Sequence, residues 1–228
     1  MNRTSPIFDY ASSTQGQLTT IVLTALALLG GYYLAPYLPP VWGWENGLIE
    51  NAQVLVLIAG SFWAIREARH SQRQPHRAFW WIICPIWLAM ALRELSWGAC
   101  LLMPLHIDPV TGPTFSSSQQ LFYKPFIAPT LAAMLLVQAL LALRWRVDKL
   151  LPQLWRMRAI PLIEIGIFVV SFLVSTAAEG HMGMHLSGLP EGSDQLLEEW
   201  AELWAYLALF AAQARVAMAL RIARTPPT

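Results

Sequence analysis

The sequence predicts an all-α protein: a polytopic transmembrane helical bundle of six spans with both termini in the cytoplasm. Composition is the first reason. Of 228 residues, 56% are hydrophobic and 13% charged, whereas a soluble domain carries about 25% charged residues; mean hydropathy is +0.44. Apolar runs close to the ~20 residues that cross a bilayer core are the second. None shows the residue alternation of a barrel strand. The third is that basic residues gather on alternate connections. The same composition excludes a disordered chain, a disulfide scaffold and a basic nucleic-acid-binding domain.

The first span covers about 19–37. It is longer than a signal-peptide core, and no small-x-small cleavage pattern follows, so it reads as a retained span. The others cover about 47–66, 78–102, 125–143, 159–178 and 196–220, giving one integral membrane domain over 1–228. Of the 15 Lys and Arg, all but Arg93 and Lys124 fall in the two termini, the connections 66–77 and 144–158, and the end of span six. The positive-inside rule places that side in the cytoplasm. Tyr32, Tyr33, Tyr37, Trp42 and Trp44 would line the outer interface, and Trp63, Phe79, Trp80, Trp81, Trp145 and Trp155 the inner one, as aromatic belts do. Glu67, His70 and His76 are expected in the solvated inner connection. Cys84 and Cys100 lie sixteen positions apart in one predicted helix, about 24 Å along its axis, too far for a disulfide.

The carboxylates are distributed unevenly. Glu45, Glu50, Glu94, Asp108, Glu179, Glu191, Asp194, Glu198, Glu199 and Glu202 fall toward the outer side, joined by His106, His181 and His185. Charges inside a bilayer are costly, by ~2.5–3.5 kcal/mol each on insertion scales. Glu50, Arg93, Glu94, Glu198 and Glu202 occupy one depth on three spans, so a shared wet pocket is expected. Glu198 and Glu202 share a helix face; Glu199 is rotated about 100° away.

Two chemistries fit such a pocket. In the first, His181, His185, Glu202, Glu198 and Glu179 supply ligands for a divalent metal such as zinc, and Glu94 and Glu50 act as acid–base groups. This would be a metal-dependent hydrolase acting on a lipid or lipid-linked substrate. In the second, the pocket passes a cation, proton or solute without catalysis. A purely structural network, with Glu198 and Glu199 favoured by a helix N-terminus and Glu94 paired to Arg93 or Lys124, is the third reading. Membrane lipids are the expected partners; a second copy or another membrane protein could dock on the acidic loops.

Two strings carry a resemblance. Glu45-Asn46-Gly47-Leu48-Ile49-Glu50 and Glu94-Leu95-Ser96-Trp97-Gly98 resemble those of uncharacterised bacterial multi-pass inner-membrane proteins, which implies a bacterial inner-membrane location and no particular activity. Ser175, His181 and His185 are more remotely similar to the Ser and His-x-x-x-His set of alkaline-ceramidase-type membrane hydrolases, which implies zinc. Six predicted spans rather than seven, and the lack of an earlier Asp-x-x-x-His, depart from that group.

Overall fold

The computed structural model describes residues 14–180, 183, 186 and 188–222. They are mostly helical, with one two-stranded ribbon and short connecting turns and loops. The long helices are α1 (Thr14–Leu34), α2 (Leu48–His70), α3 (Gln74–Glu94), α4 (Lys124–Arg144), α5 (Leu162–Ala178) and α6 (Ser193–Ile222). Gln15–Tyr37, Leu48–His70, Lys124–Arg144 and Ser193–Ile222 are each long and apolar enough to cross a membrane. The fifth helix is apolar but has 17 residues. The third has 21, with polar residues at both ends.

Its C-terminal limit corrects the expected span 78–102. Ser96, Trp97 and Gly98 have positive φ, 46°, 59° and 99°, which no α-helix accommodates. The chain turns there, held by the Gly98 N–H on the Leu95 carbonyl and by the Tyr123 hydroxyl on the Trp97 carbonyl, both 2.7 Å. Glu94 therefore closes α3, and Cys100 lies beyond it. Cys84 and Cys100 are both free thiols.

Helices α2 and α3 form one antiparallel pair, and α5 and α6 another; α6 also packs along α2 and touches α1. The interior carries polar groups, and leucines cover the outside, the inversion expected of a chain in lipid. On α4, Leu135, Leu136, Leu140 and Leu143 are exposed, while Gln138 is its one buried residue and donates to the Ile82 carbonyl at 3.1 Å.

Apolar clusters occupy three levels. Ala35, Ile49, Ala178, Leu196 and Leu197 lie at one end. Leu57, Trp87, Ala91 and Tyr206 lie midway. Ala64, Trp80, Leu154, Ala217 and Leu220 lie at the arginine-rich end. Trp80, expected in the inner aromatic belt, is fully buried there instead. Gln213 ties three helices together: Trp87 Nε1 donates to its Oε1, and its Nε2 donates to the Gly60 carbonyl at 2.9 Å.

Two further expectations fail at the arginine-rich end. Glu67 is buried within α2 and pairs with Arg221 of α6. His76 is buried in the first turn of α3, with its Nε2 3.3 Å from Gln153 Oε1. A pairing partner brought from outside the connection accounts for each, and sequence distance conceals it.

The ribbon joins β1 (His106–Asp108) to antiparallel β2 (Gly112–Thr114). Asp108 Oδ1 accepts from the backbone N–H groups of Val110 and Thr111, at 2.7 and 2.9 Å. Gly112, at φ 81°, lies flat against the Trp44 ring, where a Cβ would collide. The Trp44 indole donates to the Val110 carbonyl at 2.8 Å, so the ribbon is fastened to the segment leading into α2.

Candidate functional site

The strings singled out in the sequence meet at one end of the bundle. Asn46 takes a left-handed conformation, φ 58°, tolerable for this residue type. That turns its backbone N–H toward Glu50 Oε2 in the first turn of α2, and the two are hydrogen-bonded. Glu50 is buried, and its electrostatic neighbours are the carboxylates of Glu94, Glu45 and Glu202.

Glu94 sits at the C-terminal end of α3, where the helix dipole disfavours an anion. Arg93 and Tyr206 compensate. Arg93 Nη1 donates to Glu94 Oε1 at 3.0 Å and to the Tyr206 hydroxyl at 3.2 Å. The Tyr206 hydroxyl donates to Glu94 Oε1 at 2.7 Å. Arg93 Nη2 lies 3.8 Å from Glu202 Oε1, which also accepts from Ser175 Oγ of α5 at 3.3 Å. Helices α3, α5 and α6 thus each contribute to one polar chain.

Gln53 of α2 binds Glu199 alongside this chain. Its Nε2 donates to both the backbone carbonyl and Oε2 of Glu199, each at 2.8 Å. Its Oε1 is buried without a hydrogen-bond partner. Glu199 is flanked electrostatically by Glu50, Glu202, Glu198 and Glu94. Glu198 is flanked by Glu179, Glu202 and Asp194. Asp194 is the one carboxylate in the first turn of α6. Dipole stabilisation falls off within one turn, so it does not account for Glu198, Glu199 or Glu202.

A cavity of about 250 Å³ opens beside this network, lined by Glu45, Glu179, Asp194 and Glu198 together with Thr111 and Thr114 of the ribbon. Glu45 Oε2 accepts from the Phe115 N–H at 2.6 Å. Burial pushes the Glu45 carboxyl above its ordinary value, against the opposing effect of that hydrogen bond. At the exposed ribbon turn, the Thr111 and Val110 N–H groups hold Asp108 below its ordinary value. Burial, and then the Glu50 carboxylate, raise the Cys100 thiol.

Among the expected site residues, Glu50, Glu94, Glu198 and Glu202 therefore converge, with Glu179 at the cavity wall. His181 and His185 lie outside the described residues. Among the described residues, no three His, Cys, Asp or Glu side chains are disposed to hold a metal, so Glu179, Glu198 and Glu202 alone do not form the expected ligand set. Tyr206 was not expected. Its place one turn after Glu202 on the Glu198–Glu202 stripe is the signal that could have found it.

Comparison with protein-family models, curated proteins and solved structures finds no match.

Proposed function

We propose that the chain crosses a bacterial inner membrane six times with both termini cytoplasmic, and that its periplasmic-end pocket binds a cation or protons as the central site of a carrier. The basic residues on one side support the orientation. The pairing of α5 with α6 and of α3 with α2 supports counting α3 and α5 as spans. At ~1.5 Å per residue α5 is about 26 Å long, close to the ~30 Å hydrocarbon core.

One observation carries the cation reading. Carboxylates from α2, α3 and α6 are one another's electrostatic neighbours, the guanidinium of Arg93 pairs with only two of them, Glu94 and Glu202, and the buried Gln53 Oε1 beside them is an acceptor with no donor. Surplus anionic oxygens with an unused neutral oxygen suit a cation. A second reading is a metal-dependent hydrolase acting on a lipid-linked substrate. Glu179 favours it, because that residue lines the same cavity and immediately precedes the stretch bearing His181 and His185.

Thermal unfolding of the purified protein in detergent tests the proposal. A ligand at a hundred times its Kd stabilises by about 2.7 kcal/mol. Titration with sodium, potassium, magnesium, calcium, manganese and zinc, and with acid over about pH 5 to 8, should give a saturable rise in Tm for at least one of them. Glu202→Gln should abolish it. Zinc or manganese as the sole stabiliser favours the hydrolase reading. No rise from any ion or from acidification overturns the cation site.

A further inference from the structure

The opposite end of the bundle carries a larger cavity, about 550 Å³, walled by α5, α6, the first turn of α1 and the short helix Leu150–Arg156. Arg156, Arg158 and Arg215 line it, with Glu164 as the one carboxylate among the described lining residues. Arg215 is buried, and its Nε and Nη2 lie 2.7 and 2.6 Å from Glu164 Oε1. That pair neutralises itself. Arg156 and Arg158 are exposed at the rim, so the cavity holds two guanidinium groups in excess. Trp155 beside them is 70% exposed, as an indole at the headgroup level is.

Ile163 of this cavity is shared with a second, apolar groove of about 300 Å³ between α1 and α5, lined by Ile21, Thr24, Leu28, Gly166 and Val170 among others. A Cβ built on Gly166 would meet nothing within 4 Å, so this glycine leaves open space rather than enabling a close helix contact. A cationic mouth bordering an apolar groove along two helices is complementary to an anionic amphiphile. Inorganic phosphate has no use for the groove, and an uncharged lipid none for the arginines. Basic pockets at the cytoplasmic ends of spanning helices commonly take acidic headgroups.

We propose that this cavity is a binding site for an anionic phospholipid of the cytoplasmic leaflet, its phosphate held by Arg156 and Arg158 and one acyl chain lying in the α1–α5 groove past Gly166. Arg215, fixed by Glu164, forms the charged floor.

The test is native mass spectrometry of the delipidated full chain in detergent, with phosphatidylglycerol, phosphatidylcholine or inorganic phosphate added. Phosphatidylglycerol should bind as one retained adduct, and phosphatidylcholine should not. Each rim arginine contributes about a factor of five near an anionic surface. Arg156→Gln with Arg158→Gln should therefore weaken phosphatidylglycerol about thirtyfold. Both side chains are exposed, so the double variant should keep the parent's Tm. Gly166→Phe blocks the groove without touching any arginine and should also weaken the adduct. Equal retention of phosphatidylcholine overturns the charge selection. Binding of inorganic phosphate that displaces the lipid, with Gly166→Phe silent, overturns the lipid and leaves a simple anion site.

Discussion

Gly60 offers a case in which two effects of opposite sign compete, and the structure decides between them. It lies inside α2, where alanine is preferred to glycine by about 1 kcal/mol. Yet a Cβ at this position would stand 2.6 to 2.8 Å from three atoms of the Trp87 ring, against a comfortable separation of about 3.5–4.0 Å. The ring must retreat by about 1 Å, and it is not free to do so. Trp87 is buried, it meets Phe210 edge to face at 6.4 Å, and its indole N–H is committed to Gln213, which in turn holds the Gly60 carbonyl. Overpacking costs about 1–3 kcal/mol, and each of the two hydrogen bonds at risk is worth about 1 kcal/mol. Gly60→Ala should thus destabilise by about 1–4 kcal/mol after the gain in propensity. Gly30→Ala is the matched control: it also lies in a helix, but its Cβ would meet nothing within 4 Å, so it should be neutral or stabilising by up to about 1 kcal/mol. Unfolding of both variants and the parent by denaturing detergent measures the difference. A Gly60→Ala protein as stable as Gly30→Ala would refute the claim that α2 and α3 approach through this glycine.

The loop and ribbon over the pocket should show pH responses of opposite sign. Burial raises the Glu45 carboxyl in the folded state, so its contribution is full below the ordinary carboxylate pKa of about 4.3 and is lost as pH rises through the folded value. The stability difference between Glu45→Gln and the parent should move in the variant's favour across that rise. Asp108 is held low, so its contribution is present above about 3.9 and is lost as pH falls through the folded value; Asp108→Asn should lose ground to the parent as pH increases. Melting curves across acidic pH read both, and a reversed slope for either contradicts its assigned surroundings. Cys100, buried with a raised thiol, should react with a maleimide more slowly than an unfolded peptide cysteine, and faster once Glu50→Gln removes the neighbouring carboxylate. Alkylation at the peptide rate in the folded protein would contradict its burial.

Periodicity and charge bias carried most of the helical order, because a membrane imposes length and polarity on each segment separately. Where a helix stops depends on backbone conformation, and the sequence signals of the left-handed turn at Ser96–Gly98 reduce to one glycine. The ribbon at 106–114 was not anticipated, because its strands of three residues are too short for an alternating pattern to emerge. Glu50, Glu94, Glu198 and Glu202 could be read as co-located because helix rise converts sequence position into depth. Rotation about the helix axis is not fixed that way. Hence the partnership of Tyr206 with Glu94, and the burial of Trp80, Glu67 and His76, required the three-dimensional arrangement. All four are side chains whose neighbours come from a different helix.

The central place of α6 bears on the order in which this protein can assemble. Its Arg221 meets Glu67 of the second helix, its Arg215 meets Glu164 of the fifth, its Tyr206 meets Glu94 of the third, and the Trp200 indole donates to the Ala27 carbonyl of the first at 2.9 Å. Translation delivers α6 after all of these. Until it emerges from the ribosome, Glu67 and Glu164 lack the arginines that pair with them, whereas Glu94 already has Arg93 beside it. The last helix acts as a keystone, so a nascent chain stalled before Ser193 should remain a client of the insertion machinery instead of a partly finished bundle.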